Sequence, residues 1–159
     1  MTLSLPFLMF QGRAQEAVDL YLRAFPDAEL LELEHHAEGA VAEGGEPVTP
    51  GRAGDRLVAT AQLRIGGQAM MIQDSLIRHD FGFTPAISFA VVVDTSPEFE
   101  DIVEAFTAAG SSFLMEPDDY GFSRRFAWIQ DPFGVSWQVN LPLSSGQEES
   151  AQARPPVWG

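Results

Sequence analysis

The chain of 159 residues has no cysteine and no lysine, and all nine of its basic residues are arginine. Without cysteine there are no thiol nucleophiles, disulfides, thiolate-bound zinc sites or iron–sulfur clusters, because each needs a sulfur atom the chain does not own. Without lysine there is no internal Schiff base and no phosphate-binding loop of the Walker type. Positive charge is scarce overall: 9 basic against 23 acidic residues give a net charge of −14. Such a chain repels polyanions, so neither nucleic acid nor an anionic membrane surface is an expected partner. Small-molecule chemistry or a protein partner remains. Long apolar runs are missing too, none approaching the roughly 18 residues needed to cross a bilayer. The segment Met1–Phe10 lacks a basic n-region and a small-residue cleavage site, so a cytoplasmic location is expected. The length suits one domain, which would bury about 70% of its unfolded surface.

What is present reads as a repeated order of elements. Met1–Phe10 reads as a first strand, and after Gly12 the residues Ala14, Val18, Tyr21, Leu22 and Phe25 fall at helical spacing up to Pro26-Asp27. Ala28–His36 reads as a strand. Residues 37–55, rich in Glu, Gly, Ala and Pro without periodicity, read as a loop or mobile excursion. Arg56–Ile65 and Gln68–Gln73 form a hairpin about Gly66-Gly67. A connector, Asp74–Pro85, leads into the strand Ala86–Asp94. Ser96-Pro97 then supplies an N-cap and an N1 proline to a helix with the apolar stripe Phe99, Ile102, Val103 and Phe106, ending at Gly110. Ser111–Met115 is a short strand. The acidic loop Glu116–Asp119 follows, and Ser123–Gln130 and Val135–Leu141 close a hairpin about Asp131-Pro132-Phe133-Gly134.

The expectation is therefore an α+β protein of two βαβββ modules, residues 1–79 (with the loop 37–55) and 85–142, forming one domain over 1–142. Two curved sheets set edge to edge would enclose a cup lined by their helix-distal faces. Residues 143–159 read as a flexible tail, whose Trp158 is either part of a frayed end or a docking residue.

The last strand is the most informative. Val135, Trp137, Val139 and Leu141 alternate with Ser136, Gln138 and Asn140, which puts a polar row on a central strand and suggests a solvated or ligand-filled cup. On the preceding strand Phe126, Trp128 and Gln130 share one face and Arg125, Ala127 and Ile129 the other, so the cup gains either an aromatic wall or a cation. Arg124 or Arg125 could hold an anionic ligand group, or simply pair with Asp118 or Asp119. His35 and His36 point to opposite faces of their strand. Glu34 and His36 share one, making a two-ligand metal fragment or, more plainly, an exposed strand end. His79-Asp80 in the connector is a candidate general base or an ordinary surface pair.

The pattern running from Pro6-Phe7-Leu8-Met9-Phe10 through Gly12, Ala14, Glu16-Ala17-Val18 and Tyr21 to Phe25-Pro26 is joined by Ala86-Ile87-Ser88-Phe89 and Trp128-Ile129-x-Asp131-Pro132-Phe133-Gly134-Val135-Ser136-Trp137-Gln138. Together they resemble the PhnB-like group of the vicinal oxygen chelate superfamily, which includes glyoxalase I, extradiol dioxygenases and bleomycin-resistance proteins. The resemblance spans residues 5–142. It implies a homodimer, and in metal-dependent members it implies His or Glu ligands on the first and last strands of each module. Those slots here hold Ser88 in place of His and Gln138 in place of the usual Glu, while Leu5–Leu8 offers no ligand. Gln73 or Asp74 is the candidate for the fourth slot. Some relatives carry the label 3-demethylubiquinone methyltransferase, yet this sequence has no glycine-rich loop of the kind that holds S-adenosylmethionine.

Two functions follow as expectations. The first is a binding protein that takes a small organic ligand without metal or other cofactor, using Ser88, Trp128, Gln138, Arg125 and Phe83. The second is a metal-dependent lyase, isomerase or dioxygenase with an atypical ligand set drawn from Gln73, Asp74 or His36. A third reading, an interaction module acting through the acidic helix Glu98–Glu104, is more simply the solvated face of an amphipathic helix.

Overall fold

The computed structural model describes residues 1–143. Trp158 and the rest of the expected tail from 144 onward lie outside the described residues. The chain divides into two compact units, one ending at Phe83 and the other starting at Thr84. The division falls inside the segment read as a connector.

The first unit contains β1 (Phe7–Phe10), α1 (Ala14–Ala24), β2 (Glu29–His35), β3 (Val58–Ile65) and β4 (Gln68–Asp74). Its four-stranded sheet has the order β1-β4-β3-β2, with β1 parallel to β4 and the other pairs antiparallel. The opening strand is shorter than its apolar sequence predicts: it begins at Phe7, opposite Met71, with the Pro6 carbonyl just upstream still accepting from Met71 N–H at 2.9 Å. Ala14, Ala17, Val18, Leu20, Tyr21 and Ala24 of α1 are buried, as are Leu8, Phe10, Met70 and Ile72 on the sheet. On β3 the buried residues are Val58, Ala61, Leu63 and Ile65, which breaks strict alternation. A register shift explains this, for Glu34 pairs with Thr60 but His35 with Val58, leaving Ala59 as the extra residue of a bulge.

Asp74 is the polar centre of this unit. Only 1% exposed, its carboxylate accepts backbone N–H groups from Gly12 (2.7 Å), Ala14 (3.1 Å) and Val58 (2.9 Å). The residue before α1, Arg13, provides no side-chain cap. Asp74 thus supplies from 60 residues away the anionic acceptor that a local Ser or Asp would normally provide.

The excursion 37–55 is a loop, but a docked one. Val48 is buried and its N–H bonds the Leu76 carbonyl; Arg78 N–H reaches Glu46 O, and Gly51 N–H reaches Gly12 O. At its neck His36 N–H bonds Leu57 O at 2.8 Å. Gly12 holds φ +112°, and a Cβ there would collide with the Thr49 carbonyl oxygen, so glycine is needed twice over at this crossing.

The second unit repeats the order with β5 (Ser88–Val92), α2 (Ser96–Ala108), β6 (Ser112–Asp118), β7 (Arg125–Gln130) and β8 (Ser136–Leu141). Its sheet order is β5-β8-β7-β6, again with one parallel pair, β5 with β8. Each unit is therefore a βαβββ module, and the α+β fold class holds. Helix α2 is capped one residue earlier than the sequence suggests: Thr95 takes the cap, accepting from Glu98 N–H at 3.3 Å, and Ser96-Pro97 enter the first turn. Phe99, Ile102 and Phe106 are fully buried, each worth about 1.5–3 kcal/mol of transfer free energy. Strand β6 runs on through Glu116-Pro117, where a loop is expected from the sequence. The proline is tolerated because β6 is an edge strand whose pairing is already irregular.

Candidate functional site

Alternation on the second sheet gives it two faces of opposite character. Trp137, Val139 and Leu141 of β8 are fully buried on the helix side, where the Trp137 ring lies 5.8 Å from that of Phe106 and 4.9 Å from that of Phe89. The other face carries Ser88 opposite Ser136, Gln138 opposite Trp128, and Asn140 opposite Phe126. A cavity of about 270 Å³ opens on this helix-distal face, lined by the Pro85-Ala86 segment, Ser88, Met115, Phe126, Trp128 and Gln138. Three residues expected to share a site from sequence, Ser88, Trp128 and Gln138, are thus brought together.

The polar atoms of this face are not equally free. Ser136 Oγ donates to the Ile87 carbonyl at 2.9 Å, which uses its only proton. Ser88 Oγ, 2.6 Å from Ser136 Oγ, must therefore be the donor in that pair, and it faces the cavity as an acceptor. Trp128 Nε1 is buried with no hydrogen-bond partner among the described residues, and Asn140 Oδ1 on the same sheet face is in the same state. A buried N–H left unpaired costs about 1–3 kcal/mol. Behind the aromatic wall, Tyr120 lies edge-on to Phe126 with centroids 6.0 Å apart. Tyr120 holds φ 51°, and its hydroxyl donates to Glu116 O. Desolvation, reinforced by Asp118 and Glu116, holds its phenol above the ordinary tyrosine range.

Other expected site residues are placed elsewhere. Arg125 projects from the helix side of β7, 3.0 Å from Glu100 and with its guanidinium 5.4 Å from the Phe99 ring centre. Its alternation with Phe126 places the cation on the face opposite this cavity, apart from Ser88, Trp128 and Gln138. Arg124 is turned away as well, its Nε donating to Pro142 O at 2.7 Å; neither arginine uses Asp118 or Asp119 as its recorded partner. Phe83 belongs to the first unit, tilted against Phe10 at 4.9 Å, and does not line this cavity. Asp74 is committed to three backbone donors on the helix side, so it is unsuited to be a ligand. Gln73, opposite Met9, occupies the helix-distal face. His36 lies beyond the end of β2 with Nε2 3.2 Å from Asp74 O, while His35 Nε2 is 2.7 Å from Gln15 Oε1. His79 is 3.2 Å from Ser75 Oγ and stacks on Phe81 at 4.9 Å. A second cavity, of about 360 Å³, lies beneath the docked loop between His36 and Leu57.

These placements allow a test of whether the residues suit a divalent ion. The helix-distal residues at or beside the metal slots are Phe7 and Met9 on β1, Gln73 on β4, Ser88 on β5 and Gln138 on β8. None offers an imidazole or a carboxylate, the donors such an ion takes when it keeps open positions for substrate. Among the described residues no group of three or more His, Cys, Asp or Glu could hold an ion. In neither unit, taken by itself, do these donors fit the superfamily's metal.

Met115 and Phe126 were not among the sequence-predicted site residues. Phe126 was recoverable, since it shares a face with Trp128 two positions on. Met115 reaches the cavity because β6 pairs it with Trp128 after a register shift, and nothing local in the sequence announces such a shift.

Two βαβββ units with a cavity on a helix-distal sheet face define a protein of the vicinal oxygen chelate fold. A glyoxylase/bleomycin resistance protein/dioxygenase domain from Frankia sp. superposes with a TM-score of 0.60 at 13% identity, over 90% of this chain and 98% of that one, a likeness of fold alone. A family profile described as 3-demethylubiquinone-9 3-methyltransferase matches residues 3–140, and the chain belongs to that family, the PhnB-like group of the superfamily. The PhnB protein of Bacillus cereus is 32% identical, with a TM-score of 0.73 over 88% of this chain and 99% of that one. An uncharacterized protein of Mycobacterium bovis is 27% identical over 88% of this chain and 84% of its own length. Among the described residues no helix is long and apolar enough to cross a membrane.

Proposed function

We propose that this chain binds a small organic molecule in the cavity of its second unit, without a metal ion. The observation that carries the reading is the composition of that cavity: aromatic and thioether walls from Phe126, Trp128 and Met115, with the hydroxyl of Ser88 and the amide of Gln138 where metal-dependent relatives present ligands. Apolar walls with a few placed hydrogen-bonding groups are what a small-molecule site requires.

Methyl transfer, which the family description names, finds no support in the chain. Gly66-Gly67 is a hairpin turn and Gly44-Gly45 lies in the docked loop. Gly12 does sit between a strand and a helix, but its N–H and that of Ala14 are taken by Asp74, so this helix start is closed to a cofactor.

Metal analysis of protein purified without chelator, paired with a fragment screen followed by amide and indole NMR signals, tests the reading. The expected result is a substoichiometric metal content together with saturable shifts at Trp128, Gln138 and Met115. A stoichiometric divalent ion that is lost in Gln138→Ala would overturn it, as would a screen in which no fragment shifts those residues.

A further inference from the structure

The cavity of about 360 Å³ beneath the docked loop is formed entirely by residues 36–57 of the first unit, none of which lines the cavity of the second. Order in so long a segment calls for a reason, since connections beyond about 12–15 residues without secondary structure are uncommon and usually functional. The loop is fastened along its length. Val48 N–H bonds Leu76 O at 3.1 Å, Arg78 N–H bonds Glu46 O at 2.8 Å, and Arg52 holds Asp19 of α1 at 2.6 Å. The volume so held falls within the roughly 300–1,000 Å³ of small-molecule sites.

The charges on its lining are divided in a telling way. Asp55 is taken, its two carboxylate oxygens lying 3.1 and 3.0 Å from Arg52. Arg56 has no carboxylate partner among the described residues, although the chain carries 23 acidic residues against 9 basic ones. By contrast Arg13, Arg52, Arg64, Arg78 and Arg125 all pair with Asp or Glu. Arg23 and Arg124 also lack such a partner, but they are not in this lining. Arg56 Nη2 donates to the His36 carbonyl at 2.7 Å, which anchors the guanidinium and leaves its other N–H groups for a ligand. Glu38, exposed on the same lining, has no partner among the described residues either, and it does not pair with Arg56.

His36 adds a third polar group. Its Nε2 lies 3.2 Å from Asp74 O, and a carbonyl oxygen only accepts, so that nitrogen carries the proton and Nδ1 of the neutral ring is an acceptor. Most of the remaining wall is aliphatic, with Val41, Pro47, Val48 and Leu57, and no Phe, Tyr or Trp lines it. A simple anion entering here would meet Glu38 uncompensated, and a simple cation would meet Arg56. A molecule that carries both charges satisfies both groups.

We propose that the cavity beneath the loop binds an aliphatic α-amino acid as its zwitterion. The carboxylate takes the free N–H groups of Arg56, the ammonium goes to Glu38 with His36 Nδ1 as a further acceptor, and the side chain lies on the aliphatic wall.

Leucine and its two singly charged analogues, leucinamide and 4-methylpentanoate, test this with the full chain at neutral pH, read by amide NMR titration of residues 36–57. Leucine is expected to shift these signals saturably and to bind about tenfold more tightly than either analogue, since each lacks one charge-assisted contact. Arg56→Gln is expected to remove the preference over leucinamide and keep that over 4-methylpentanoate; Glu38→Gln is expected to do the reverse. Both side chains are exposed, circular dichroism checks the fold of each variant, and the preference of the parent chain stands independently of them. An analogue that binds as well as leucine, preferences that survive both substitutions, or leucine that leaves these amides unmoved at millimolar concentration would overturn the proposal. Failure here leaves the binding reading of the second unit intact, because that reading is followed on separate signals, those of Met115, Trp128 and Gln138.

Discussion

Replacing Asp74 by alanine removes the one acceptor shared by three buried backbone donors, those of Gly12, Ala14 and Val58, at 2.7, 3.1 and 2.9 Å. Each orphaned buried N–H costs about 1–3 kcal/mol, and bonds to an ionised acceptor lie toward the upper end. The three share one side chain and a water can enter the space left, so the terms do not simply add; a total of about 4 kcal/mol is expected. That is a large part of the roughly 5–15 kcal/mol that holds a native domain together. With a urea dependence of about 2 kcal/mol per molar, the unfolding midpoint falls by about 2 M, measured at neutral pH by far-ultraviolet circular dichroism. Asp74→Asn can keep its carbonyl toward Gly12 and Ala14 but turns an NH₂ toward the Val58 N–H, so its loss is expected to be intermediate. An alanine midpoint within about 0.5 M of the parent, at unchanged slope, would refute the idea that this carboxylate ties α1, β3 and β4 together.

Two further outcomes follow from other contacts. Gly12→Ala is expected to cost at least about 2 kcal/mol in the same assay, since it adds left-handed strain to a collision with Thr49 O, and to raise protease cleavage within residues 37–55 by loosening the loop; an unchanged midpoint and cleavage rate would contradict the docking. For Tyr120, partial desolvation and then the Asp118 and Glu116 carboxylates favour the protonated phenol in the folded state, so its stability contribution is complete below the unfolded value near 10 and is lost as pH rises through the higher folded value. Ultraviolet difference absorbance of the parent against Tyr120→Phe should show this phenolate forming only above the ordinary tyrosine range; titration at or below the ordinary value would contradict the influence of the two carboxylates and the partial desolvation.

Much of the second unit's site is legible from alternation alone. Once Trp137, Val139 and Leu141 are assigned to the helix, Ser136, Gln138 and Asn140 must face the other way, because successive strand residues point to opposite sides. Trp128 or Arg125 then lines the site according to which face of β7 looks with Gln138. That choice depends on cross-strand pairing, and pairing Trp128 with Gln138 settled it for the tryptophan. Asp74 shows the opposite case. As the residue after Gln73 at a strand end it is a plausible ligand by sequence; only its register opposite Phe10 and the return of the chain at Val58 turn it into an internal cap.

By itself the sequence determined the chemistry that is missing and the order of elements. Missing atoms cannot be restored by folding, and helix and strand periods are local properties of the chain. The repeat of two βαβββ modules was readable on those grounds, while the Ser88 and Gln138 slots were readable only through the family resemblance. The tertiary structure decided which polar atoms remain free. Ser88 became an acceptor because Ser136 spends its proton on Ile87 O, and Arg125 left the site because Glu100 of α2 stands on its side of the sheet. Those outcomes depend on contacts between residues 25 to 49 positions apart in the chain, and no local period encodes them.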